Sequence, residues 1–264
     1  MITVGDVNKL LDEYAPVRLK EGFDNVGLLV GDEDAGVTRV LVALDITAET
    51  VKEAVSLGAQ LIVSHHPVFF SLSSVTEGDC TGRLVRSMIK NGLSAICMHT
   101  NLDKVRGGVN DMLAAALGLR NIKLLINEGQ DDKGRTYGLC RTGEIAEPMP
   151  VAEFIKTVSA ALGCKCIRYA DAGKPVKKVA VGGGSCGDYI PQVIEAGCDT
   201  FVTADLKYHM FLNAPDKNLN LIDAGHYPTE NIICPQLRDV ISEKFPELSV
   251  LISERHDENI CYSI

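Results

Sequence analysis

Residues 40–63 carry a pattern that few folds permit: an apolar run, Val40-Leu-Val-Ala-Leu44, an amphipathic stretch over 48–57, a glycine at 58, and a second apolar run, Leu61-Ile-Val63. Unbroken apolar runs belong to strands covered on both faces, and the stretch between them has the length of a crossover helix closed by Gly58. The pattern predicts a parallel strand–helix–strand unit. Its second strand stops abruptly at Ser64-His-His-Pro67. Successive side chains of a strand point to opposite faces, so His65 and His66 can serve one site only where the strand has ended and the chain turns. Pro67 supports that ending, since it has no N–H for a ladder. The carboxyl ends of such strands are where α/β sheets gather their ligands.

The same grammar runs along the rest of the chain. Thr3 or Asp6 caps a helix over 3–14, with Val7, Leu10, Leu11 and Tyr14 on one stripe. Gly22-Phe-Asp-Asn-Val-Gly-Leu-Leu-Val-Gly31 reads as a turn leading into a short buried strand; Asp24 and Asn25 could face a site, and the turn preference is the favoured reading of both. A helix over 81–91, a strand over 93–98 and a helix over 109–117 follow. Between 121 and 150 the reading is charged loops around one strand at 137–145. A helix over 151–162, strands at 179–181 and 200–203 around a helix at 189–196, a helix at 235–244 and a strand at 248–252 complete the expectation.

Part of the pattern recurs. Leu57-Gly-Ala-Gln-Leu-Ile-Val-Ser64 lies over Ala196-Gly-Cys-Asp-Thr-Phe-Val-Thr203 at an offset of 139 (196 − 57, 203 − 64), and His99-Thr-Asn-Leu-Asp103 lies over His226-Tyr-Pro-Thr-Glu230 at 127 (226 − 99, 230 − 103). His65 and His66 then fall on Ala204 and Asp205. We expect two related α/β domains, the first over 1–105 with 236–264 and the second over 106–235.

Composition narrows the function classes. A net charge of −9 argues against a protein that wraps nucleic acid. Nine cysteines, odd in number and without a CxxC pair, read as reduced and structural, and Cys164-Lys-Cys166 does not make a four-ligand site. No stretch approaches the roughly 18–20 apolar residues of a membrane span. The N-terminal residues lack the charged and apolar regions of a signal peptide, so the expected location is the cytoplasm.

Collected at the ends of apolar strands are His65, His66, His99, Asp103, His226 and Glu230. Imidazoles with carboxylates form a mixed nitrogen and oxygen set suited to zinc, iron, manganese, cobalt or nickel. Their number exceeds what one tetrahedral zinc needs, which points to two divalent ions. The plainer alternative is that the histidines cap strands by bonding to backbone. Gly182-Gly-Gly-Ser-Cys-Gly187, between a strand and a helix, could cradle a phosphate on the amides of Gly183, Gly184 and Ser185, and close packing is the other reading of that turn.

Together, Gly22-Phe-Asp-Asn-Val-Gly-Leu28, Ser64-His-His-Pro67, His99-Thr-Asn-Leu-Asp103, Tyr208-His209 and Gly225-His-Tyr-Pro-Thr-Glu230 resemble the Nif-three-like family, whose members carry the label GTP cyclohydrolase 1 type 2 homolog. The resemblance runs from about residue 4 to the C-terminus. It implies a pair of related α/β domains with a dinuclear metal site in the cleft between them, assembled as a homohexamer. It also implies His65, His66, Asp103, His226 and Glu230 as metal ligands, with His99 behind them. Phe23 stands where the family usually has Trp, Ala204 where it usually has Gly, and Met210 where an acidic residue is common. The activity implied is metal-dependent hydrolysis of a nucleotide, GTP ring opening or phosphoester cleavage, with His99 or His209 moving protons. The alternative is a non-catalytic protein that stores, delivers or inserts metal.

Overall fold

The computed structural model describes residues 1–263, and the chain divides into two compact units, Met1–Leu102 with Ile233–Asn259, and Asp103–Ile232 with the few residues after Asn259.

The first unit opens with α1 (Val4–Tyr14), started by a reciprocal cap: the Asp6 N–H donates to the Thr3 hydroxyl and the Thr3 N–H to the Asp6 carboxylate. Then come β1 (Gly27–Val30), β2 (Arg39–Ala43), α2 (Ala48–Leu57), β3 (Leu61–Ser64), α3 (Cys80–Lys90) and β4 (Ser94–Cys97), and the unit ends within α4 (Thr100–Lys104). Strands β2, β3 and β4 are parallel, with Val40 opposite Leu61 and Ile62 opposite Ala95. Leu41, Ile62 and Ala95 pack with Val51 and Ala54 of α2 and Val85 and Met88 of α3. Every residue of β3 and β4 is buried, which is why they read as apolar runs without alternation. Gly58 closes α2 at φ 66, a left-handed conformation that costs a glycine little.

The second unit contains α5 (Val109–Ala116), β5 (Arg120–Leu124), a minimal hairpin of β6 (Gly129–Gln130) and β7 (Thr136–Tyr137), β8 (Arg141–Met149), α6 (Val151–Leu162), β9 (Arg168–Ala170), β10 (Val176–Val181), α7 (Ile190–Glu195), β11 (Thr200–Thr203), α8 (Tyr208–Asn213), β12 (Asn220–Asp223) and α9 (His226–Asn231). Its sheet runs β5-β8-β10-β11-β12-β9, with the three strands β10 to β12 parallel. Val179, Val181, Val202 and Ile222 pack with Leu113, Phe154 and Val158, while Ala180, Phe201 and Leu221 pack with Ile190 and Val193. Val179 pairs with Thr200 as Val40 pairs with Leu61, both partners displaced by 139 (179 − 40, 200 − 61). The central parallel ladders of the two units therefore share a register.

The chain then returns to the first unit through α10 (Ile233–Lys244) and β13 (Ser249–Ile252), which adds parallel to β2 and completes the order β1-β4-β3-β2-β13. No described helix is long and apolar enough to cross a membrane.

Two local expectations are corrected. The strand expected at 137–145 is broken at Gly138, whose φ of 153 no side chain tolerates there, because a Cβ would lie 1.9 Å from the Ile126 carbonyl oxygen. Strand β5 was not expected: its residues are mostly exposed, so no apolar pattern marks it. Cys164 and Cys166 lie in the segment between α6 and β9, the first half-buried and the second exposed.

All nine cysteines are free, with Cys97, Cys140, Cys186, Cys198 and Cys234 buried and Cys80, Cys166 and Cys261 exposed. Burial pushes the Cys198 thiol up to about 11 and that of Cys234 up to about 12, so neither is a thiolate at neutral pH. Native protein should accordingly give a fast reaction with Ellman's reagent at the three exposed thiols, the five buried ones appearing only on unfolding. Fast labelling of Cys198 or Cys234, mapped by mass spectrometry, would contradict this packing.

Candidate metal centre

In the first unit the chain leaves β3 and turns at once. The His65 N–H donates to the Ala43 carbonyl at 3.3 Å and the His66 N–H to that of Leu44 at 2.9 Å, while the Ser64 hydroxyl holds the His66 carbonyl at 2.7 Å. The turn lets two adjacent histidines converge, with ring centroids 5.0 Å apart. His99, between β4 and α4, brings a third imidazole, 5.2 Å from His65 and 5.5 Å from His66. One ring nitrogen from each of the three lies within 4.8 Å of the others.

The other nitrogens decide what such a cluster can do. Nδ1 of His65 is 2.8 Å from the Met98 carbonyl, Nδ1 of His66 is 2.7 Å from Asp45 Oδ1, and Nδ1 of His99 is 2.8 Å from Asp24 Oδ1. A carbonyl only accepts, so in His65 the proton sits on Nδ1 and the lone pair on Nε2. The carboxylates, as acceptors, likewise place a proton on Nδ1 of His66 and of His99. Imidazoles anchored through one nitrogen and presenting the other are how proteins orient metal-binding histidines. Asp24 is 5% exposed. Burial works against its ionisation, but bonds from His99 and from the Thr100 hydroxyl and N–H outweigh it and hold the carboxyl well below the usual range.

The second unit holds Asp103, His226 and Glu230. His226 begins α9 and Glu230 stands one turn on, with Nε2 and Oε2 2.9 Å apart. Nδ1 of His226 is 2.7 Å from Asp205 Oδ2. Asp205 holds a left-handed φ of 54, uncommon for a residue with a side chain and of a kind that clusters at functional sites. Burial lowers the affinity of His226 for a proton, but Glu230 and Asp205 together raise its pKa to about 9. Glu230 is 4% exposed, so its charge needs that cationic partner or another. Asp103, on α4, is fixed through its carbonyl, which accepts from Asn110 Nδ2 at 2.9 Å.

The glycine turn after β10 serves this arrangement. The Gly183 N–H donates to Asn110 Oδ1 at 2.9 Å and that of Gly184 to the Thr229 hydroxyl at 3.0 Å, so two of the three amides expected to cradle a phosphate are engaged within the unit. What the turn provides is room: a Cβ on Gly184 would fall 2.1 Å from Glu230 Oε1 and 3.2 Å from His226 Cε1. Ser185 is exposed, as is His209 on α8. The anchors Asp24, Asp45 and Asp205 were missed as site residues, since nothing local in the sequence joins each to its histidine.

Both units are α/β, and the anchored imidazoles of the first, like the His226 and Glu230 pair of the second, are nitrogen and oxygen donors whose chemistry fits a divalent cation. A family model described as Duf34/NIF3 (NGG1p interacting factor 3) matches residues 2–259, and the chain belongs to that family. A GTP cyclohydrolase 1 type 2 homolog from Clostridium perfringens is 37% identical over 243 residues, covering 91% of this chain and 92% of the relative. A protein of the same description from Streptomyces coelicolor is 39% identical over 235 residues, covering 87% and 82%. The crystal structure of a hypothetical protein from Staphylococcus aureus matches with a TM-score of 0.91 at 31% identity, covering 99% of both chains. The family read from the motifs and its α/β architecture are thereby confirmed.

Proposed function

We propose that the chain binds two divalent cations as a dinuclear centre, with His65, His66, Asp103, His226 and Glu230 as ligands, and uses them to hydrolyse a nucleotide. The observation that carries this reading is the shared presentation of three imidazoles: His65, His66 and His99 each have Nδ1 engaged by a carbonyl or carboxylate, which leaves Nε2 as the ligand atom, while His226 is held through Nδ1 by Asp205 and faces Glu230 through Nε2. When bound, such ions supply Lewis acidity and lower the pKa of a water. Within the chain, Asp45 and Asp205 orient His66 and His226, and Glu230 brings the negative charge that a cation requires. We assign His99, held by Asp24, to proton transfer at the substrate's edge. The relatives' names favour ring opening of GTP as the reaction, and a homohexamer is the assembly we propose.

Metal content per chain of untagged protein, measured by inductively coupled plasma mass spectrometry, tests the reading together with a nucleotide hydrolysis screen. We expect about two ions per chain and metal-dependent turnover. Tight metal without turnover on any nucleotide would favour storage or insertion over hydrolysis. Absence of metal after gentle purification, with no uptake on reconstitution, would overturn the centre itself.

A further inference from the structure

Beside the histidine cluster of the first unit stand two exposed aromatic rings, Phe23 at 71% and Phe70 at 56% exposure, although burying a phenylalanine is favourable. Their centroids are 6.4 Å apart with an interplanar angle of 48°, and the Phe70 ring meets the His99 imidazole edge-on at 5.8 Å. Both rings ride on fixed backbone. Next to Phe23, Asp24 is bonded to His99 and Thr100, and Asn25 Nδ2 donates to the Phe69 carbonyl at 2.9 Å, which ties the two loops to each other and to the cluster. Exposed rings on a loose loop tip are unremarkable. Rings exposed on loops this well anchored, touching an imidazole of the site, form a surface already organised for something to lie on it.

We propose that Phe23 and Phe70 are a stacking platform for the planar heteroaromatic ring of the substrate, a ring of purine size. Phe70 reaches the cluster through His99, so a ring laid on the platform presents its edge to that imidazole. An aromatic face gives sequence-tolerant attraction to a flat base, while the polar edge of the base is left for the imidazoles to address. The proposal deepens the nucleotide hydrolase reading and rests on it for the identity of the ligand. It assigns recognition to the base rather than to the phosphates.

The chain has no tryptophan, so Phe23→Trp introduces a single indole at the platform. Titration of this variant, as purified, with guanosine and GTP should give saturable quenching, whereas tripolyphosphate should give none. Adding Phe70→Ala should raise the dissociation constant for guanosine roughly 10- to 100-fold, the scale of one base–aromatic stack, with metal content unchanged. No saturable quenching by guanosine, adenosine or GTP would overturn the platform. So would an indole emission that shifts with protein dilution while Phe70→Ala lowers the mass seen by light scattering, because the rings would then be covered by a second copy of the chain. The two readings fail separately. Guanosine quenching that survives removal of metal from a protein without turnover keeps the platform and sinks the hydrolase, while turnover with an unchanged KM in Phe70→Ala does the reverse.

Discussion

Glu230→Ala is expected to weaken divalent cation binding by more than about 100-fold, since loss even of an outer partner of a metal ligand typically costs 10- to 100-fold. The argument starts from burial. Glu230 is 4% exposed and faces His226 Nε2 at 2.9 Å, so its charge is committed to whatever positive group shares that space. A cation that binds the folded chain alone adds stability by mass action, about 2.7 kcal/mol at a hundredfold excess over its dissociation constant. The melting temperature of the parent protein should rise with added manganese or zinc, and that of Glu230→Ala should stay flat. Gly184→Ala supplies an independent route to the same end. Its Cβ would sit 2.1 Å from Glu230 Oε1, displacing the carboxylate without deleting it, at a φ of 62. Gly118→Ala is the matched control, because Gly118 has a φ of 68 with nothing within 4 Å of a new Cβ. Both variants should lose about 1–2 kcal/mol to the left-handed backbone, but only Gly184→Ala should lose metal. Equal metal content in all three variants and the parent would remove Glu230 from the ligand set.

That the histidines proposed as ligands stand out in the sequence while the carboxylates that hold them do not has a physical explanation. His65, His66, His99 and His226 each interrupt the chain just past an apolar strand, and a polar group at such a boundary is visible in one dimension. Helices α2 and α6 are equally visible, since each is closed by a glycine, Gly58 or Gly163, in left-handed conformation. Their bounds follow from local chemistry. The anchoring of the imidazoles is not local: Asp24 meets His99 across 75 positions, and Asp45 and Asp205 meet their histidines across 21. Asp24 looked like a turn residue because it is one; its second role exists only once β1 and β4 lie side by side. Strand β5 escaped notice for a different reason. It sits at the edge of its sheet with exposed side chains, where pairing to β8 rather than burial makes it a strand.

Arg141→Met should destabilise the second unit by about 3–5 kcal/mol, the usual cost of removing one partner from a buried ion pair. Arg141 is 3% exposed at the start of β8. Its guanidinium is bonded to the Asp111 carboxylate and donates to the carbonyls of Gly138 and Cys140, both at 2.9 Å, and of Val105 at 3.0 Å. Methionine can fill the volume but leaves those carbonyls without a donor and Asp111 without its cation. At 2–4 °C per kcal/mol, the melting temperature should fall by roughly 10 °C. Arg141→Lys should recover only part of this loss, since an ammonium cannot reproduce the fork that reaches several acceptors at once. The effect should extend to the candidate centre. Asp111 also accepts the Gly107 N–H at 2.6 Å, so Arg141, Asp111 and the Val105 carbonyl together hold the loop that follows Asp103. Cation binding in Arg141→Met, measured well below its melting point, should therefore weaken even though no proposed ligand has been altered. A variant that melts within about 1 kcal/mol of the parent would mean that water replaces the guanidinium at these carbonyls, and that the loop after Asp103 is held without it, through contacts such as the Gly138 N–H to the Lys104 carbonyl at 2.9 Å.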